Sequence, residues 1–258
     1  MENENKPTLF IVHGAWHVPE SYKKLTSAFE SRGYEVHLPR LPSTNGMQPP
    51  SADLFTDSLL VRNYVESLVR AGRTVVVMMH SYGGQVGTNA LHGLGAETRA
   101  KQGQPGGISH LIYMAAYALP EGISIMDKVK EFGNTDLIPL VINFADDGTC
   151  LYHDPKGMMV GPGADEADVD EYVDTFVRWN GKGLYQANEH AAWRDIPISY
   201  IYTSTTDVTV PRPYQQNMVE GLEKAGRKVR TFELETGHCP NLTATEGVVQ
   251  IVEKVIAG

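Results

Sequence analysis

An α/β fold with a mostly parallel sheet of about six strands flanked by helices is the architecture this sequence predicts. Two observations carry the prediction. Short apolar, β-branched runs alternate with stretches of helical periodicity, the rhythm of repeated strand–helix–strand units. Several of those runs end abruptly in turns of glycine, histidine or serine, as strands do when they deliver side chains to one edge of a sheet. A length of 258 residues suffices for one such domain with an insertion.

Strands are expected at residues 8–12 (TLFIV), 35–38, 74–79 (TVVVMM), 110–115, 198–203 and 229–234. Helical patterns fill the intervals at 19–32, 52–71, 84–94, 211–225 and 243–257. Residues 93–107 read as loop in their second half, where Gly103, Pro105, Gly106 and Gly107 cluster. The alternation stops between Leu119 and Asp195. That stretch has helical patterns near 126–132 and 167–179 and a Gly/Pro-rich piece at 157–163. The chain thus divides into a core, 1–118 with 196–258, and a helical insertion after the fourth strand, 119–195. Such an insertion over a site excludes water and supplies apolar walls.

The third strand run ends in His80-Ser81-Tyr82-Gly83-Gly84. A serine on this sharp strand-to-helix bend is held away from the sheet, with a helix N-terminus behind it. This is the G-x-S-x-G nucleophile elbow with Met79 at the first glycine position. Asp207 follows the strand at 198–203, and His238 follows the strand at 229–234. Both are expected just past C-terminal strand ends, where open α/β sheets place their chemistry. Serine hydroxyl needs a neighbouring base, which His238 supplies, with Asp207 orienting the imidazole. The first strand ends in His13-Gly14-Ala15-Trp16-His17. There the N–H of Ala15, with that of Tyr82, completes an oxyanion hole.

These motifs resemble the α/β-hydrolase superfamily, and within it the branch of plant methyl-ester esterases and hydroxynitrile lyases with their fungal and bacterial relatives. The residues that carry the resemblance are His13 to His17, His80 to Gly84, Asp207-Val208-Thr209-Val210-Pro211 with Gln216 and Met218, and Gly237-His238. It spans essentially the whole chain, loosely in the middle third. It implies catalytic Ser81, Asp207 and His238 in the chain order of that fold, and an insertion placed as the family's cap. Ser81 separates the chain from dehalogenases and epoxide hydrolases, which place Asp at the elbow. In the plant lyases of this branch Thr replaces the glycine after the first strand's histidine, and a cap lysine handles cyanide. Here the position is Gly14, as in the esterases; the insertion's lysines Lys156 and Lys182 have nothing in the sequence aiming them at a site.

The reading that follows is a serine hydrolase that opens a carboxylic ester or lactone of a small to medium apolar metabolite. The alternative is a lyase or cyclase of secondary-metabolite biosynthesis using His238 as acid/base, and a third is a receptor on the same fold. Trp16, His17, Met158, Phe176 and Trp193 are the candidate substrate contacts, with Tyr82, Leu140, Phe144 and Met159 as further candidates for the wall. The sequence has no H-E-x-x-H, C-x-x-C, P-loop or G-x-G-x-x-G, and the expectation is a site needing neither metal nor cofactor.

Composition narrows the partners. Hydrophobic content of 41% and charged content of 21% are globular values. A net charge of −9 argues against nucleic acid and anionic membranes. The acidic run Asp165 to Glu171 reads as a helix start. Cys150 and Cys239 make no disulfide framework. Residues 1–8 have no leader character and no run is long enough to span a membrane, so a soluble cytoplasmic protein is expected. A homodimer is compatible with the sequence.

Overall fold

The computed structural model describes residues 6–204 and 206–258; most of the N-terminal stretch read for leader character lies outside them. The strands in chain order are β1 (Thr8–Val12), β2 (Val36–His37), β3 (Thr74–His80), β4 (Gly107–Met114), β5 (Ile142–Phe144), β6 (Thr149–Tyr152), β7 (Trp179–Asn180), β8 (Ile198–Thr203) and β9 (Val229–Leu234). Six of them form the main sheet in the order β2-β1-β3-β4-β8-β9. Every neighbouring pair in that sheet is parallel. The order reverses direction between β1 and β3, which puts a topological switch point beside the C-terminal ends of these two strands.

Alternation along each central strand builds two cores. Phe10, Val12, Val75, Val77 and Met79 point to one face, against the helices Leu54–Arg70, Tyr82–Ala90 and Arg212–Lys224. Leu9, Ile11, Val76 and Met78 point to the other, against Lys23–Ser31 and Thr245–Ala257. Strands buried on both faces need continuous apolar runs, as TVVVMMH of β3 supplies. The helix Leu54–Arg70 begins where the Asp53 carboxylate accepts from the Phe55 and Thr56 amides, which satisfies its first free N–H groups. A further helix, Ala96–Lys101, lies mostly in the first half of residues 93–107, where no element is expected from the sequence.

The insertion between β4 and β8 contains the helices expected near 126–132 and 167–179, at Ile125–Glu131 and Glu166–Asp174. The second stops well before Trp179. A small antiparallel sheet, β5-β6-β7, accompanies them. This sheet is the departure from a helical insertion. Its strands are two to four residues long, too short to leave a periodic signature. No helix among the described residues is long and apolar enough to cross a membrane.

Candidate active site

Ser81 sits between β3 and the helix Tyr82–Ala90 with φ 55° and ψ −125°, a backbone region rarely open to a residue with a β-carbon. The surrounding packing holds it there. At Gly83 a β-carbon would lie 2.2 Å from the Val12 carbonyl oxygen, so only glycine lets this helix approach β1 so closely. The Ser81 carbonyl accepts from the amides of Gly84 (2.9 Å) and Tyr117 (3.2 Å), fixing the bend from both sides.

Three strand ends converge on the bend. Ser81 Oγ lies 2.9 Å from His238 Nε2 and donates to it. On the other side of the ring, His238 Nδ1 donates to Asp207 Oδ2 at 3.0 Å. All three residues are buried. The Asp207 carboxylate is held by further donors: the amides of Thr209 and Val210 on Oδ1, and Thr203 Oγ1 with Gln215 Nε2 on Oδ2. These bonds fix the carboxylate facing the imidazole, and the imidazole facing the serine. The His238 amide donates to the Met159 carbonyl, so the insertion grips the histidine loop directly.

Beneath the site a directed chain of hydrogen bonds links the first strand's loop to this histidine. The Gly14 amide donates to the Tyr22 hydroxyl (3.1 Å), which donates to His80 Nδ1 (2.5 Å); His80 Nε2–H donates to the His238 carbonyl (2.8 Å). Burial drives the supporting histidines toward neutrality: His13 down to about 4, His17 to about 3, and His80 well below its usual value. A neutral His80 is what the chain requires, since it must accept on one nitrogen and donate on the other.

With the Gly14 amide engaged, those of Ala15 and Tyr82 remain. Neither donates to another backbone group among the described residues, and both residues line a cavity that also holds Ser81. The cavity has a volume of about 270 Å³ and is walled mostly by apolar side chains from the strand ends and the insertion. A β-carbon at position 14 would stand 3.1 Å from that of Ser81, so glycine there keeps space beside the hydroxyl.

Of the residues expected to meet a ligand, Trp16, Tyr82, Leu140 and Met158 line this cavity. The others do not. His17 is fully buried outside it: its Nδ1–H donates to the Ala15 carbonyl, its Nε2 accepts from the Tyr172 hydroxyl, and its ring packs 4.6 Å from that of Phe176. His17 and Phe176 therefore brace the Ala15 loop from behind. Trp193 is buried in the core, its indole N–H on the Leu119 carbonyl. Phe144 lies at a separate surface groove, and Met159 is buried where its carbonyl holds His238. Residues that the sequence did not point out include the aromatic side chains of Tyr117, Tyr152, Trp179 and Tyr214. For Tyr117 a signal existed, because it follows the C-terminal end of β4, the edge on which Ser81 also stands. Among the described residues no cluster of three or more His, Cys, Asp or Glu is placed to hold a metal ion.

The family model described as "Alpha/beta hydrolase family" matches residues 9–251. A Phoma sp. protein named "Probable hydrolase R7" is similar at 25% identity over 256 residues, 97% of this chain and 98% of that one. Polyneuridine aldehyde esterase, known from a crystal structure, has a similar fold, with a TM-score of 0.77 at 18% identity over 97% of this chain and 99% of its own. So does a methylesterase from Arabidopsis, with a TM-score of 0.75 at 16% identity over 98% and 99%. The protein is a member of the alpha/beta hydrolase family.

Proposed function

We propose that this protein is a serine hydrolase that cleaves a carboxylic ester or lactone of a small to medium apolar molecule. The observation that carries the reading is the continuous line from Asp207 through His238 to Ser81, ending in a cavity with two undonated backbone N–H groups. His238 accepts the Ser81 proton as Oγ bonds to the substrate's carbonyl carbon. The oxygen takes up the negative charge, and the N–H groups of Ala15 and Tyr82 receive it. Such preorganised donors contribute on the order of 3–4 kcal/mol each in comparable sites. The carbon–oxygen bond to the leaving alcohol breaks as His238 returns the proton to it. Water, deprotonated by His238, then opens the acyl-serine and releases the acid.

A volume of about 270 Å³ sits near the lower end of small-molecule sites, in keeping with a compact substrate. The apolar wall favours an apolar one. The reading is tested with a fluorophosphonate or sulfonyl fluoride. Mass spectrometry is expected to find the label on Ser81, with loss of esterase activity in proportion. Full labelling at another residue, with Ser81 free, contradicts it.

A further inference from the structure

The geometry points to Tyr117 as a recognition point for oxygen: the substrate is an oxygenated ester or lactone, bearing a second hydrogen-bond acceptor (a ketone, ether or hydroxyl oxygen) that the Tyr117 phenol grasps. The inference rests on the serine hydrolase reading and names the substrate class of that site.

Tyr117 is only 6% exposed, yet it lines the cavity that holds Ser81. Its hydroxyl makes no hydrogen bond among the described residues, and it is not one of the polar atoms that protein seals off completely. It therefore opens onto the cavity. A buried phenol without a partner is unfavourable, and a ligand oxygen or water must satisfy it. An all-hydrocarbon ligand would displace the water and leave the hydroxyl unpaired, whereas a ligand with a placed oxygen replaces it.

Each neighbouring tyrosine hydroxyl already has a partner in the protein, which singles Tyr117 out. The Tyr152 hydroxyl pairs with Thr209 Oγ1 at 3.1 Å, and the Tyr214 hydroxyl accepts from Asn134 Nδ2 at 2.7 Å. Tyr214 keeps a proton to give and stands as a secondary donor. Burial above all, with the nearby Asp207 carboxylate adding to it, pushes ionisation of the Tyr117 phenol far above its usual range. It stays a neutral donor at any working pH.

The backbone presents this donor rigidly. The Tyr117 amide donates to the Ser81 carbonyl, so the tyrosine is registered to the proposed nucleophile itself. The preceding residue, Ala116, is clamped by one hydroxyl: its amide donates to Tyr200 Oη (3.1 Å) and its carbonyl accepts from it (2.7 Å). A donor fixed in this way selects by position as well as by chemistry.

The test uses two series of p-nitrophenyl esters, straight-chain alkanoates and their oxo-alkanoate counterparts, with the ketone moved one carbon at a time. Wild-type protein is expected to favour the oxo ester over its hydrocarbon match at one chain position, by roughly ten- to a hundredfold in kcat/KM. Tyr117→Phe is expected to erase that preference, read as the ratio of kcat/KM between the oxo ester and its hydrocarbon match, and Tyr214→Phe to reduce it less. A far-ultraviolet circular dichroism spectrum and a urea midpoint like those of the wild type certify that Tyr117→Phe is folded. No oxo preference at any position, or one that survives Tyr117→Phe, overturns this inference and leaves the hydrolase reading standing. Absence of both turnover and Ser81 labelling in the wild type overturns the hydrolase reading, and this inference with it.

Discussion

The strand-end edge of the sheet and the insertion that roofs it are held by different means. On the edge, Ser81 and Asp207 are pinned by backbone groups close in sequence or by the adjoining strand. The roof depends mainly on side-chain ties between residues far apart in sequence, among them Trp16 Nε1 on the Cys150 carbonyl, Trp179 Nε1 on Ser43 Oγ, Asn180 Nδ2 on the Ala52 carbonyl and the Tyr172 hydroxyl on His17. Among the described residues two backbone bonds also join roof and core, Val177 N–H to the Trp16 carbonyl and His238 N–H to the Met159 carbonyl. On the hydrolase reading proposed above, the edge carries the chemistry. On that reading the roof shapes the cavity, with side chains drawn from separate places in the sequence.

Substitutions separate the two regions. The largest effect belongs to the edge: Ser81→Ala and His238→Ala are expected to lose several orders of magnitude in kcat with the fold intact, and Asp207→Asn to keep slightly more, as steady-state kinetics on an activated ester will report. The roof's anchors come next. Trp179 is fully buried and packs edge-on against Tyr82 and Trp16. Trp179→Ala is expected to cost about 3–5 kcal/mol of stability in urea unfolding. A loss below about 1 kcal/mol would mean the roof is not packed into the core.

A third effect lies between the regions. Asp57 is fully buried and has no cation partner among the described residues; it accepts from the Ser43 amide, Ser43 Oγ and the Tyr82 hydroxyl. Burial outweighs these bonds and lifts its carboxyl from 3.8 to about 6. The raised value means that the folded state prefers the protonated form. Its contribution is therefore present below about pH 4 and lost as pH rises through about 6, by roughly 3 kcal/mol in all. The stability difference between wild type and Asp57→Asn, measured by unfolding from pH 3 to 7, is expected to shift by that amount against the wild type. A flat difference would refute the burial argument. The smallest effect is at the cavity mouth, where Leu140 is 66% exposed. Leu140→Ser is expected to change stability by less than about 0.5 kcal/mol while raising KM for long-chain esters.

The same contrast explains what the chain reveals before folding. Strand β3 is legible because a strand buried on both faces must be apolar throughout, and Ser81 is legible because the elbow demands glycine two residues on. Asp207 and His238 are legible by their place after apolar runs. The roof offers no such constraint. The strand at Trp179–Asn180 has two residues, and its tryptophan is set by contact with Tyr82 and Ser43, each far away in sequence. His17 and Phe176 look like ligand contacts because aromatic residues near a site motif suit either role. Only the hydrogen bonds to Ala15 and Tyr172 decide that His17 is a brace.

The central claim is that Ser81 attacks the substrate and water completes the reaction. Incubating the protein with a turned-over ester in heavy-oxygen water tests it most directly, with mass spectrometry of the acid product and of the protein. The account predicts one solvent oxygen in the acid, a transient acyl adduct on Ser81, and neither in Ser81→Ala. A product free of solvent oxygen, formed at a nearly unchanged rate by Ser81→Ala, would contradict it.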